Sequence, residues 1–313
     1  MEIAELVERL LAGERRALAR VLTRVEDGSA QHLREAVRLL HPHTGGAQLI
    51  GITGSPGVGK STLTNALLAE WRRRGRRIAV LAVDPSSPFS GGALLGDRVR
   101  MQDHVLDDGV FIRSMANRGH LGGLSWATPQ ALLVLDAAGF DIVVVETVGV
   151  GQAEVEVASA ADTTIVALAP GMGDAIQAAK AGILEIADVF CVNKADRDGV
   201  DRTVRELRDM QHLGHPEWLA PICKTVASRD EGIAELIDAV DGHRVWLRES
   251  GRLDERRRQR ARTQVHQIAL GEVRRRFTTF DDGQLVDELA AAVAERKLDP
   301  YTAADRLLER FEG

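Results

Sequence analysis

An α/β fold, with a mostly parallel central sheet flanked by helices and helical extensions at both ends, follows from three observations. Between residues 48 and 226, short β-rich runs alternate with stretches of helical composition, the pattern of a parallel sheet covered on both faces. One run, Ile142-Val143-Val144-Val145, is apolar at every position, as a central strand buried on both sides requires. Outside that zone, both ends of the chain place apolar residues at spacings of three and four, without β pattern.

At the N-terminus, Ile3, Leu6, Val7, Leu10 and Leu11, then Leu33, Ala36, Val37 and Leu40, predict two amphipathic helices broken near Asp27-Gly28-Ser29. The turn composition of His41-Pro42-His43-Thr44-Gly45-Gly46 closes this extension, residues 1–45. A strand is predicted over Gln48–Thr53, then a helix from Ser61 to Arg74 with Leu63, Ala66, Leu67 and Trp71 on one face. Further strands are predicted at Ile78–Val83, Val110–Arg113, Asp141–Glu146, Thr163–Ala169, Asp188–Val192 and Ile222–Val226, which bounds the central domain at 46–244. From Arg244 to Phe277 there are eleven arginines against four acids, and Val265, Ile268, Leu270, Val273 and Phe277 run through this stretch. A helical arm, residues 245–313, follows, with a last segment through Leu285, Leu289 and Val293. Its basic run reads first as a solvated helix face, because the interleaved aromatics of an RNA-binding surface are scarce.

Composition narrows the classes. The 313 residues are 44% hydrophobic with a formal charge of −6, so no global field favours nucleic acid or an anionic membrane as ligand. The two cysteines, Cys191 and Cys223, supply neither a disulfide framework nor a C-x-x-C metal site, consistent with a reducing compartment. No basic and apolar leader opens the sequence and no apolar run reaches bilayer-spanning length, so a soluble cytoplasmic protein is expected.

Gly54-Ser55-Pro56-Gly57-Val58-Gly59-Lys60-Ser61 matches G-x-x-x-x-G-K-[ST], the P-loop in which backbone N–H groups wrap nucleotide phosphates and the lysine neutralises them. The predicted strand before it and helix after it are in the order this chemistry needs. The helix N-terminus then aims unpaired N–H donors at the phosphates, and the Ser61 hydroxyl is placed to ligate Mg2+. Asn193-Lys194-Ala195-Asp196 closes another strand and points to guanine, because the Asp196 carboxylate accepts from guanine N1–H and its exocyclic amine. Adenine offers no such donor pair.

Glu146-Thr147-Val148-Gly149 ends the most apolar strand, where many GTPases carry D-x-x-G. The Glu146 carboxylate reaches a metal directly or through water, and the Gly149 N–H reaches the γ-phosphate. Asp84, ending a strand, and Asp97, in Gly96-Asp97-Arg98, are further candidates for the Mg2+ shell or for orienting water. The Phe89–Leu95 stretch between them has the composition of a switch loop. Gln152 and Arg98 are candidates for positioning the attacking water or stabilising charge.

Taken together, the P-loop with Thr62, Val-Asp-Pro-Ser-Ser-Pro from Val83, Gly-Asp-Arg, Glu-Thr-Val-Gly-Val-Gly-Gln, Pro-Gly-Met-Gly-Asp from Pro170 and Asn-Lys-Ala-Asp resemble the MeaB-type GTPases. These are the methylmalonyl-CoA mutase-associated G-protein chaperones, also described as arginine/ornithine transport ATPases. The resemblance runs from about residue 45 to 240. It implies a homodimer through C-terminal helices that binds GTP/GDP with Mg2+ and docks on an adenosylcobalamin-dependent acyl-CoA mutase, gating cofactor loading and protecting the mutase. It further implies that Gly54–Thr62 bind phosphates and Asn193, Lys194 and Asp196 bind guanine. Backbone contacts to the base would come from Val226, Ala227 and Ser228, and the Mg2+ shell from Ser61, Asp84, Asp97 and Glu146. An additional switch would lie at Gly171–Lys180. Where the family's base-contacting loop more often has Ser-Ala, this chain has Val226-Ala227.

Three rivals remain at this level, the blandest being a regulatory module that holds nucleotide without hydrolysing it. A metal-insertion GTPase would want clustered Cys or His, and His41-Pro42-His43 offers only a linker pair. An ATP-driven kinase or transport-energising protein would leave the Asp196 carboxylate unmatched.

Overall fold

The computed structural model describes residues 2–27, 30–85, 104, 106–117, 127–147, 153–171, 185–212, 217–280 and 283–312. Three N-terminal helices come first, α1 (Ile3–Leu11), α2 (Arg15–Asp27) and α3 (Ala30–Leu40), where two were expected. The extra break falls at Ala12-Gly13, where Gly13 takes φ +88° and the Glu14 N–H turns back to the Arg9 carbonyl, 3.0 Å away.

Seven strands then build one sheet: β1 (Gln48–Thr53), β2 (Ile78–Pro85), β3 (Val110–Asn117), β4 (Ile142–Thr147), β5 (Thr163–Leu168), β6 (Val189–Val192) and β7 (Ile222–Lys224). Every pairing is parallel, in the order β3-β2-β4-β1-β5-β6-β7. The connecting helices are α4 (Lys60–Arg73), α5 (Thr128–Ala137), α6 (Ala153–Ala160), α7 (Val200–Gln211) and α8 (Ile233–Glu249). Chain order reverses about β1, since β2 lies beyond its β4 side while β5 lies on the other. That reversal opens a crevice at the carboxyl ends of β1, β4 and β5, where open α/β sheets take their ligands.

Strand alternation divides the core. Val143 and Val145 of β4 join Leu81, Phe111 and Met115 on one face, packed against α5 and the buried stripe of α1–α3 that includes Leu6, Val21, Leu22 and Leu40. Ile142 and Val144 face the other way with Ile50, Ile52 and Ile165, under Leu63, Leu67 and Trp71 of α4 and Ile233, Leu236 and Val240 of α8. Arg113 of β3 reaches Glu26 of α2 at 2.5 Å, which ties the N-terminal helices to the edge strand.

The amino ends of the strands are held by carboxylates. Asp162 accepts from the Leu49 N–H at 3.1 Å and Asp188 from the Thr164 N–H at 2.8 Å. Asp188 is also gripped by Arg256 (2.7 and 2.9 Å), and His243 of α8 lies beside it among Trp218 and Trp246. Burial pulls the His243 imidazole down to about 4, an effect that the Asp188 charge opposes.

The chain divides into two compact units, Met1–Arg256 and Arg257–Gly313. The helix α9 (Arg252–Phe280) begins in the first. The second unit continues through α10 (Gln284–Ala294) and α11 (Pro300–Glu312), two helices where one was expected. Asp299 caps α11, accepting from the N–H groups of Tyr301 and Thr302 at 2.9 and 3.1 Å, with Pro300 in the first turn.

Candidate functional site

The loop Gly54–Gly59 joins the end of β1 to the start of α4, so its backbone lies at the sheet's crevice. Two of its glycines are dictated by contact. A Cβ on Gly54, at φ +140°, would come within 2.1 Å of the Ala167 carbonyl oxygen of β5; one on Gly59, at φ +95°, would meet Asn193 Nδ2 at 2.8 Å. Lys60 is buried and donates from Nζ to the carbonyls of Gly54 (2.6 Å) and Ser55 (3.2 Å). Val58 is buried beneath the loop, whereas Pro56, Gly57 and Thr62 are exposed.

Glu146, at the end of β4, lies across from α4. Ser61 Oγ donates to its Oε1 and Thr64 Oγ1 to its Oε2, both at 2.8 Å, and all three residues are buried. Asp84 lies at the end of neighbouring β2, one residue beyond the Val83–Thr147 pair; its side chain is outside the described residues. Asp97, Gly149, Arg98, Gln152, the Phe89–Leu95 stretch and residues 172–180 of the expected additional switch also lie outside the described residues. Among the described residues no three acids, histidines or cysteines cluster as a self-sufficient metal cage. The oxygen set still fits Mg2+, which takes hard oxygen ligands, keeps several waters and needs only one or two protein groups beside nucleotide phosphates.

On the other side of the loop, β6 delivers Asn193. Its Nδ2 donates to the Val58 carbonyl at 2.9 Å, and its Oδ1 accepts from Thr225 Oγ1 (3.2 Å) and the Ala227 N–H (3.1 Å). Lys194, a non-glycine at φ +57°, donates from Nζ to the Gly57 carbonyl at 2.6 Å. Asp196 is half exposed and paired with Arg229 at 3.3 Å. Val226 and Ala227 are buried and Ser228 is exposed, at the start of a one-turn helix. Sequence motifs alone did not find Thr64, Thr225 or Arg229. Only Thr64 carried a signal, standing three residues after Ser61 on the same helical face.

Beneath the Asn193 loop lie both cysteines. Burial raises the Cys191 thiol to about 12 and that of Cys223 to about 11, and both are free. Cys191 Sγ lies 3.2 Å from Thr225 Oγ1.

A P-loop joined by two hydrogen bonds to an N-K-x-D loop is the geometry expected of a GTPase. The sequence of residues 18–282 matches the family described as methylmalonyl Co-A mutase-associated GTPase MeaB. The chain belongs to the MeaB family. Its relatives include a protein of Pyrococcus abyssi named as a GTPase, 47% identical over 99% of this chain and 97% of its own. The mitochondrial methylmalonic aciduria type A homolog of Caenorhabditis elegans is 31% identical, over 99% of this chain and 83% of that one. Among solved structures, the LAO/AO transport system kinase superposes with a TM-score of 0.72 at 30% identity, over 99% of this chain and 98% of that one. Membership makes this MeaB-family chain a GTPase that handles guanine nucleotides. No helix among its described residues is long and apolar enough to cross a membrane.

Proposed function

We propose that the chain is a GTP-hydrolysing chaperone of an adenosylcobalamin-dependent acyl-CoA mutase. The observation that carries the nucleotide half is the double link between loops, Asn193 to the Val58 carbonyl and Lys194 to the Gly57 carbonyl. It supports reading Asp196 as the guanine-recognising carboxylate of a loop joined to the phosphate cradle. The family's description and the name of the nematode relative support the mutase as client.

In this reading the N–H groups of residues 54–62 wrap the phosphates, and Lys60 exchanges the carbonyls of Gly54 and Ser55 for phosphate oxygens. Asn193, Lys194 and Asp196 hold guanine, with Val226, Ala227 and Ser228 along its edge. Water attacks the γ-phosphorus in line, and Lys60 with the loop N–H groups stabilises charge on the transferring oxygens. Ser61 would hold Mg2+, with Glu146 acting through that hydroxyl and water and with Asp84 and Asp97 as further candidates for its surroundings; the metal would supply charge neutralisation to the phosphates. Gly149, outside the described residues, is the residue assigned to the γ-phosphate. The arm, residues 245–313, serves dimerisation and the partner.

Calorimetry with GTP, GDP and ATP tests the base assignment. Asp196→Asn should weaken GTP at least about a hundredfold and favour xanthosine triphosphate, whose C2 carbonyl accepts from the new amide. Comparable ATP and GTP affinities in the natural chain would overturn the assignment. Phosphate release with and without the mutase tests the client, since a rate unchanged by every acyl-CoA mutase would remove that half.

A further inference from the structure

We infer that Thr64 is a positioning residue for the metal, acting through Glu146. The inference rests on the proposed reading that the chain binds guanine nucleotide with Mg2+.

Ser61 and Thr64 stand one turn apart on α4 and face the end of β4, so their hydroxyls meet the two oxygens of one carboxylate. Ser61 Oγ donates to Oε1 and Thr64 Oγ1 to Oε2, each at 2.8 Å. Thr64 and Glu146 are 0% and 4% exposed, so water does not compete freely for these bonds. Where an aspartate is common, this chain has glutamate, whose extra methylene lengthens the reach and adds a rotatable bond. An unanchored Glu146 could swing Oε1 away from Ser61. The Thr64 hydroxyl removes that freedom by holding Oε2 on the helix side, which leaves Oε1 with the Ser61 hydroxyl. The pair of bonds orients the carboxylate to work through Ser61 and water, as groups outside a metal's ligand shell typically do. A hydroxyl placed only to satisfy its own polarity would more commonly turn to a carbonyl of its helix.

The test compares Thr64→Val, which keeps shape and loses the donor, with Thr64→Ser, which keeps the donor. The readout is the affinity of the full chain for a fluorescent GDP as a function of Mg2+, alongside its affinity in EDTA. The expected result is that Thr64→Val raises the half-saturating Mg2+ concentration about tenfold, with EDTA affinity within twofold of the natural chain. Thr64→Ser should restore the Mg2+ dependence. In a Glu146→Gln background the Thr64→Val change should add nothing, because the hydroxyl acts only through that carboxylate. Should Thr64→Val fail to fold, Thr64→Cys keeps the volume with a weaker donor and carries the same comparison.

An unshifted Mg2+ requirement in Thr64→Val overturns the inference. So does equal loss of affinity in EDTA and in Mg2+, or an additive effect in the Glu146→Gln background. Failure of the underlying reading looks different: the natural chain itself would show no Mg2+-dependent GDP affinity.

Discussion

Thr225 belongs to none of the nucleotide motifs, yet its hydroxyl lies between Asn193 Oδ1 and Cys191 Sγ, while its carbonyl accepts from the Ala195 N–H at 3.0 Å. Replacing it with valine leaves the buried Asn193 amide oxygen with the Ala227 N–H alone, so the amide that bonds the Val58 carbonyl is held less firmly. GDP affinity should drop about tenfold, equivalent to roughly 1.4 kcal/mol, while Thr225→Ser stays close to the natural value in the same fluorescence titration. Lys60, Ser61, Asn193 and Asp196 were legible in the sequence because their chemistry fixes residue type and spacing along the chain. Thr225 was not, because its proximity to Asn193 exists only once β7 pairs with β6 in register, Cys191 opposite Cys223. The high thiol values of those cysteines come from the same burial, and thiol-specific reagents should modify the native chain far more slowly than the unfolded one.

All seven strands were foreseen because runs such as Ile142–Val145 leave little but a doubly buried strand as their use. Helix boundaries were harder. The breaks at Gly13 and at Asp299-Pro300 are local backbone chemistry inside stretches whose apolar spacing continues on both sides. His243 makes the element scale measurable. Folding holds its imidazole near 4 against an ordinary 6.5, so the folded state favours the neutral ring. That contribution is fully present above about pH 6.5 and drains away as the pH falls toward 4. Its full size is roughly 3 kcal/mol, set by burial and opposed by Asp188 and Asp162, with Arg256 adding to the depression. Between pH 7 and 4.5, urea unfolding of His243→Gln should show a smaller loss of stability than the natural chain; parallel curves would contradict this account.

For the molecule as a whole, the first unit carries nearly all of the core. Among the described residues of the second unit, Ala303 alone is buried, whereas Val265, Leu270, Val273 and Tyr301 are more than half exposed. A helical unit that leaves so much apolar side chain uncovered is suited to meeting a second surface, and in the proposed reading that surface is another copy. Val265→Lys with Leu270→Lys should convert a dimer to a monomer in light scattering, weakening association at least about a hundredfold, while GDP affinity stays unchanged. A natural chain that is already monomeric at micromolar concentration would count against it. This arm was legible only as helix, because a sequence displays its apolar positions without saying what covers them.

The bonds from Asn193 and Lys194 to the carbonyls of Val58 and Gly57 carry a kinetic consequence. Two separate loops could let a nucleotide peel away in stages, base first and phosphates later, with a half-released species between. Stitched through the backbone, they open as one body, and fluorescent GDP should leave in a single exponential with no lag or second phase.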